Sequence, residues 1–163
     1  MRVVKAFAAA VAVLAAWPAA AADGTVSARQ PQGLADALKG AGYEATITAD
    51  DVGEPVIDLV MQGYKARVLF LDCEPSTRDR CGSIQFAASF DADGPGLTPA
   101  DAVAFAARYR YAAVTLNGTG DPTLRWDVET GAGLPSEVFV DSAARFLGTV
   151  RAMGEMLFPK PTA

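Results

Sequence analysis

The residues with the most definite chemistry in this chain are Cys73 and Cys81, its only two cysteines. Two thiols can oxidise to each other, shuttle electrons as a redox pair, or hold a metal. Redox pairs generally use a Cys-x-x-Cys at a helix start, where one thiolate is stabilised. Here seven residues, Glu74 to Arg80, all polar but Pro75, separate the two cysteines. A structural zinc site needs four ligands, and the chain contains no histidine to complete one. A structural disulfide is the reading that fits an oxidising compartment.

The absent histidine also removes Ser-His and Cys-His nucleophiles and every His-metal arrangement. A Ser-Lys dyad has no recognisable Ser-x-x-Lys pattern near Lys39, Lys65 or Lys160. Asp91-Ala92-Asp93-Gly94 opens like a calcium loop, but Pro95, Gly96 and Leu97 follow where further oxygen ligands would be needed. It reads as a turn, as do Asp50, Asp51 and Glu54. Asn117-Gly118-Thr119 fits a glycosylation sequon, yet Asn-Gly is also a favoured hairpin turn, and a turn is expected. Asp127 and Glu129 share one face of a strand, a carboxylate pair that acid-base catalysis could use; solvated charges explain them better. No catalytic residue, cofactor or metal is therefore assigned.

The compartment is read from the first 22 residues. Arg2 and Lys5 precede an uncharged apolar run, Ala6 to Trp17. Pro18 breaks it, and Ala20-Ala21-Ala22 matches a signal peptidase site. The run is shorter than the ~20 residues of a membrane-spanning helix, and no cysteine follows it to carry a lipid. Residues 1–22 are expected to be a signal peptide, and the protein periplasmic or secreted, with no membrane insertion after cleavage. The 14 basic residues then become 12 against 19 acidic ones, a net charge of −7. That disfavours nucleic acid and anionic membranes as partners.

The remaining residues must build the frame that positions these groups. Residues 23–32 read as a flexible lead-in, 33–158 as one domain and 159–163 as a tail. A short helix is expected over Gly33 to Gly40. Four strands follow: Tyr43 to Ala49, Val56 to Met61, Tyr64 to Asp72 and Ser83 to Phe90, the last alternating Ile84, Phe86, Ala88 and Phe90 with polar or small residues. Thr98-Pro99-Ala100-Asp101 is a helix start, with a cap, a proline suited to the first turn and an early acid. Tyr111 to Leu116 and Thr123 to Glu129 form a hairpin about Asn117 to Pro122. Ser136 then caps a long helix to about Phe158, with Phe139, Ala143, Phe146, Leu147, Val150, Met153 and Leu157 along one stripe. Short turns between successive strands imply an antiparallel sheet. The fold class is α+β in two layers, order α-β-β-β-β-α-β-β-α, with five or six strands and helices on one face.

Three stretches resemble the YbjN-type domain, a bacterial family described as sensory transduction regulators. They are Cys81-Gly82-Ser83-Ile84-Gln85-Phe86 preceded by Cys73, Gly120-Asp121-Pro122-Thr123-Leu124 leading into Trp126-Asp127-Val128, and Ala107-Arg108-Tyr109-Arg110-Tyr111-Ala112. The likeness spans about Leu34 to Phe158. It implies a fold similar to type III secretion chaperones, small α+β domains that often dimerise, and so a homodimer. It brings no catalytic residues.

One strand face lacks an assigned cover. If Tyr64, Ala66, Val68 and Phe70 face the helices, then Lys65, Arg67, Leu69 and Leu71 face away, joined by Ser83, Gln85, Arg125 and Asp127. Two leucines beside two cations suggest a surface that a protein or peptide partner covers. The alternatives are that the cysteine-bounded loop or the lead-in covers the leucines, or that the strand is buried on both faces. Two functions remain: an exported, non-enzymatic binding or chaperone-like module, or a small periplasmic enzyme using carboxylates.

Overall fold

The computed structural model describes residues 24–92, 94 and 96–159. The signal peptide expected over 1–22, Asp93 and most of the expected tail lie outside the described residues.

Helix α1 (Pro31–Gly40) precedes four strands, β2 (Glu44–Ala49), β3 (Pro55–Met61), β4 (Tyr64–Leu71) and β5 (Ser83–Ser89). Helix α2 (Pro99–Arg108), strands β6 (Ala113–Leu116) and β7 (Pro122–Glu129), and helix α3 (Ser136–Leu157) follow. The six strands form one antiparallel sheet in the order β2-β3-β4-β5-β7-β6. The α+β class and the succession of its major elements are as expected.

Local chemistry explains the elements. The turn between β3 and β4 is Gln62-Gly63, both at positive φ (50° and 89°), the left-handed pair that suits a tight hairpin. Thr98 and Asp101 form a reciprocal capping box, with Pro99 at the first turn of α2. Asn117 and Asp121 tie the β6–β7 turn through the Asn117 side-chain oxygen Oδ1, which accepts from the N–H groups of Thr119 and Asp121.

Several boundaries differ from expectation, among them the strand expected from Tyr111, which begins at Ala113. α1 begins at Pro31, whose missing N–H costs nothing in a first turn. Pro135, not Ser136, is the cap residue of α3; Ser136 is the first helical residue and donates from N–H and Oγ to the Gly24 carbonyl. Residues 24–32 are not loose. Thr25–Val26 form strand β1, antiparallel to β8 (Leu134–Pro135), and Val26 and Ala28 are buried. The buried Thr130 hydroxyl accepts from the Ala28 N–H (2.9 Å) and donates to the Gly82 carbonyl (3.1 Å).

The core lies between the sheet and the helices. Ile57, Val68, Ile84, Phe86, Leu124 and Trp126 project from the sheet. Leu34 and Leu38 of α1, Phe105 of α2, and Phe139, Phe146, Val150 and Met153 of α3 close over them. Phe86 stacks against both Phe139 (5.7 Å between centroids) and Phe146 (5.4 Å). Each such side chain contributes ~1.5–3 kcal/mol by leaving water.

Candidate functional site

Alternation along β4 divides the sheet's two sides. Ala66, Val68 and Phe70 are buried toward the helices, while Lys65 and Arg67 are exposed on the other side and Leu69 and Leu71 are half-buried there. Antiparallel register then assembles the outer side in cross-strand rows. Thr46, Asp58, Arg67, Ala87 and Arg125 form one; Thr48, Val56, Leu69, Gln85 and Asp127 form the next.

Those rows are not alike. The first opens into a shallow groove of about 490 Å³, whose lining includes Glu44, Asp58, Val60, Lys65, Arg67 and Ala87. Its floor is strand backbone and the small side chain of Ala87, since Ala66 and Ala88 turn their side chains to the core. Its rim carries both signs. Arg67 Nε donates to Asp58 Oδ1 at 3.0 Å, and Thr48 Oγ1 donates to the other oxygen at 3.0 Å. The Arg67 hydrogen bond, ahead of opposing desolvation and of the Thr48 bond, holds the Asp58 carboxyl below its ordinary range. Lys65 lines the same groove and has no carboxylate within ion-pair distance among the described residues.

The second row is more closed. Val56, directly opposite Leu69, is 1% exposed although it lies on the outer side. The cysteine-bounded loop approaches this end: Arg78 reaches Glu54, the residue before β3, at 3.3 Å. Leu69, Leu71, Gln85 and Arg125 do not line the groove. Gln85 and Arg125 belong to a polar chain instead. Arg125 donates to the Gln85 carbonyl, and the Gln85 amide donates to Asp127, each at 2.6 Å. Of the eight residues that the sequence places on this face, the groove thus gathers Lys65 and Arg67. Glu44, Asp58, Val60 and Ala87 join them unforeseen. The signal for Asp58 was its place directly opposite Arg67, in the same row, across the Gln62-Gly63 turn.

Cys73 and Cys81 are joined in a disulfide that links the end of β4 to the start of β5. Cys81 is fully buried and Cys73 packs partly against the core. The ring between them is tied internally, its Glu74 N–H donating to the Asp79 carbonyl at 2.8 Å. Asp127 and Glu129 are both exposed at the outer side of β7. Among the described residues no three Cys, Asp or Glu side chains converge as a metal site would require. No described helix is long and apolar enough to cross a membrane.

One family model matches residues 30–160, and its description reads YbjN, "Putative bacterial sensory transduction regulator". No curated protein and no solved structure gives a match.

Proposed function

From the chain's membership of the YbjN family of bacterial sensory transduction regulators, we propose that it is an exported, non-enzymatic regulatory module that holds a polypeptide partner on the outer side of its sheet. The observation that carries this reading is the groove beside Lys65 and Arg67. Every described helix contributes its buried residues to the core on the opposite side, so the groove is built on strands alone. A floor of strand backbone and Ala87 admits a polypeptide close to the sheet, and a rim of mixed charge sets its orientation. The disulfide supports an oxidising compartment, in keeping with a periplasmic or secreted location after removal of residues 1–22.

The test is site-specific photocrosslinking in the exporting bacterium. A benzophenone side chain at Ala87, on the groove floor, is compared with one at Glu137, exposed in the first turn of α3. Discrete polypeptide adducts from position 87, lost on adding Lys65→Glu with Arg67→Glu, are the expected result. Equal adduct patterns from both positions would exclude the groove. Mass spectrometry of the same material should find the mature chain starting at Asp23.

A further inference from the structure

β7 is longer than the strand beside it. β6 pairs only with Pro122 to Arg125, whereas β5 pairs with β7 as far as Glu129. Trp126 to Glu129 therefore have a neighbour on one side and, among the described residues, none on the other. The ladder's phase shows which groups this leaves over. The Phe90 N–H donates to the Pro122 carbonyl (3.0 Å), so even-numbered residues of β7 bond toward β5. The Asn117 N–H donates to the Asp121 carbonyl (3.1 Å), so odd-numbered residues bond toward β6. Asp127 and Glu129 continue the odd series, and their N–H and C=O groups point out of the open edge.

Tyr111 is what ends β6. Its φ of +67° is a conformation that a bulky side chain rarely adopts, and it turns the chain away where Asp127 would need a partner. Its ring then lies 5.2 Å from Trp126 on the helix side of the edge. Strain kept at the mouth of an open strand edge is a recurrent mark of a binding site.

A cleft of about 570 Å³ runs along this edge, its lining holding Arg110, Tyr111, Trp126 and Arg145 and also Asp127 and Glu129 of the strand itself. Arg110 sits over the Tyr111 ring at 4.8 Å and donates to its hydroxyl. Neither Arg110 nor Arg145 has a carboxylate within ion-pair distance among the described residues, in a chain of net charge −5. An unpaired edge wants a strand, and two arginines without an ion pair on the helix side favour acids on that side, while Asp127 and Glu129 on the outer side disfavour them there. A second copy of this chain fits badly. Antiparallel edge-to-edge pairing centred on this segment would set Asp127 against Glu129 of the second copy and Glu129 against its Asp127, like charges opposed across a ladder.

We propose that the Trp126–Glu129 edge of β7 takes an extended segment of a partner protein as an added strand, its acidic side chains directed to the helix side where Arg110 and Arg145 lie. This site is separate from the groove on β2 to β5, and neither depends on the other.

The probes are two blocked peptides, one alternating glutamate with valine and one alternating lysine with valine, titrated into the isotopically labelled mature protein. The glutamate peptide should slow amide exchange at Asp127 and Glu129, leaving Trp126 and Val128, already bonded to β5, unchanged. Arg145→Glu should weaken it about tenfold, the loss of one charge-assisted contact, and adding Arg110→Glu should switch preference to the lysine peptide. Asp127→Pro removes one outward N–H without touching the β5 ladder and should abolish binding. If that variant does not fold, the exposed arginine substitutions still decide the matter. Equal binding of both peptides, no binding at millimolar peptide, or protection at Ala45 and Ile47 on the opposite sheet edge would each overturn the proposal.

Discussion

Phe86 of β5 and Phe146 of α3 stack with their centroids 5.4 Å apart and their planes 25° from parallel. Both are fully buried, and Phe146 also meets the edge of Trp126 at 6.5 Å. The terminal helix is held to the sheet through this cluster. Phe146→Ala should cost ~3–5 kcal/mol, a large part of an ordinary domain's stability. Urea melts read the effect; a change below ~1 kcal/mol would mean that the cavity collapses at almost no cost.

The disulfide closes a ring between residues eight positions apart. Loop entropy assigns such a ring roughly 2.5 kcal/mol. Melts with and without reductant should differ by about that amount, and thiol titration of the native protein should find none free. The Cys73→Ala, Cys81→Ala double variant should match the reduced protein and lose its sensitivity to reductant.

Gly96 and Gly120 touch backbone to backbone. The Leu97 N–H donates to the Gly120 carbonyl at 2.8 Å, and a Cβ on Gly96 would overlap that carbonyl group and lie 2.8 Å from the Gly120 Cα. Neither partner is a flexible side-chain end, so the loop before α2 must move. Gly96→Ala should destabilise by roughly 1–3 kcal/mol. Gly118→Ala in the same hairpin turn, where a Cβ meets nothing within 4 Å, is the control expected to do much less.

The Asp58–Arg67 pair gives a pH dependence with a definite sign. The folded-state carboxyl titrates below its ordinary value of 3.8, chiefly because Arg67 hydrogen-bonds to it. Its contribution is present above about pH 4 and is lost as pH falls through the folded value. Both side chains are about half exposed, 55% and 46%, so screening limits the pair to about 1 kcal/mol or less. The stability difference between wild type and Arg67→Gln should shrink as pH falls below 4. A gap that stays constant down to pH 2 would show that Arg67 acts through packing alone.

The alternation of Ile84, Phe86 and Ala88 and the α3 stripe were enough to name the facing layers, because a buried face repeats along its element. The same reasoning could not find β1 or β8. Two residues show no period, and the partner of Thr25 lies at Pro135. Tyr111 reads as a strand residue by type, since nothing in a tyrosine announces a positive φ. On the outer side, alternation placed Lys65, Arg67, Leu69 and Leu71 on one face. It could not separate the open Lys65–Arg67 end from the closed Val56–Leu69 end, because that difference comes from chain packed there by tertiary structure.

The pairing of Thr25 with Pro135 and Val26 with Leu134 also orders events in time. A chain delivered N-terminus first, whether from a ribosome or through an export channel, presents the first of these residues well before the second, so β1 has no partner until nearly the whole domain has emerged. The six-stranded sheet needs only strands that precede β8, and closure of β1 onto β8 falls to the end of assembly. Loop closure over so long a separation is slow to be rewarded. The Gly24–Ala28 segment thus acts as a late latch, and a chain stalled before Leu134 must remain unlatched however well its sheet has formed.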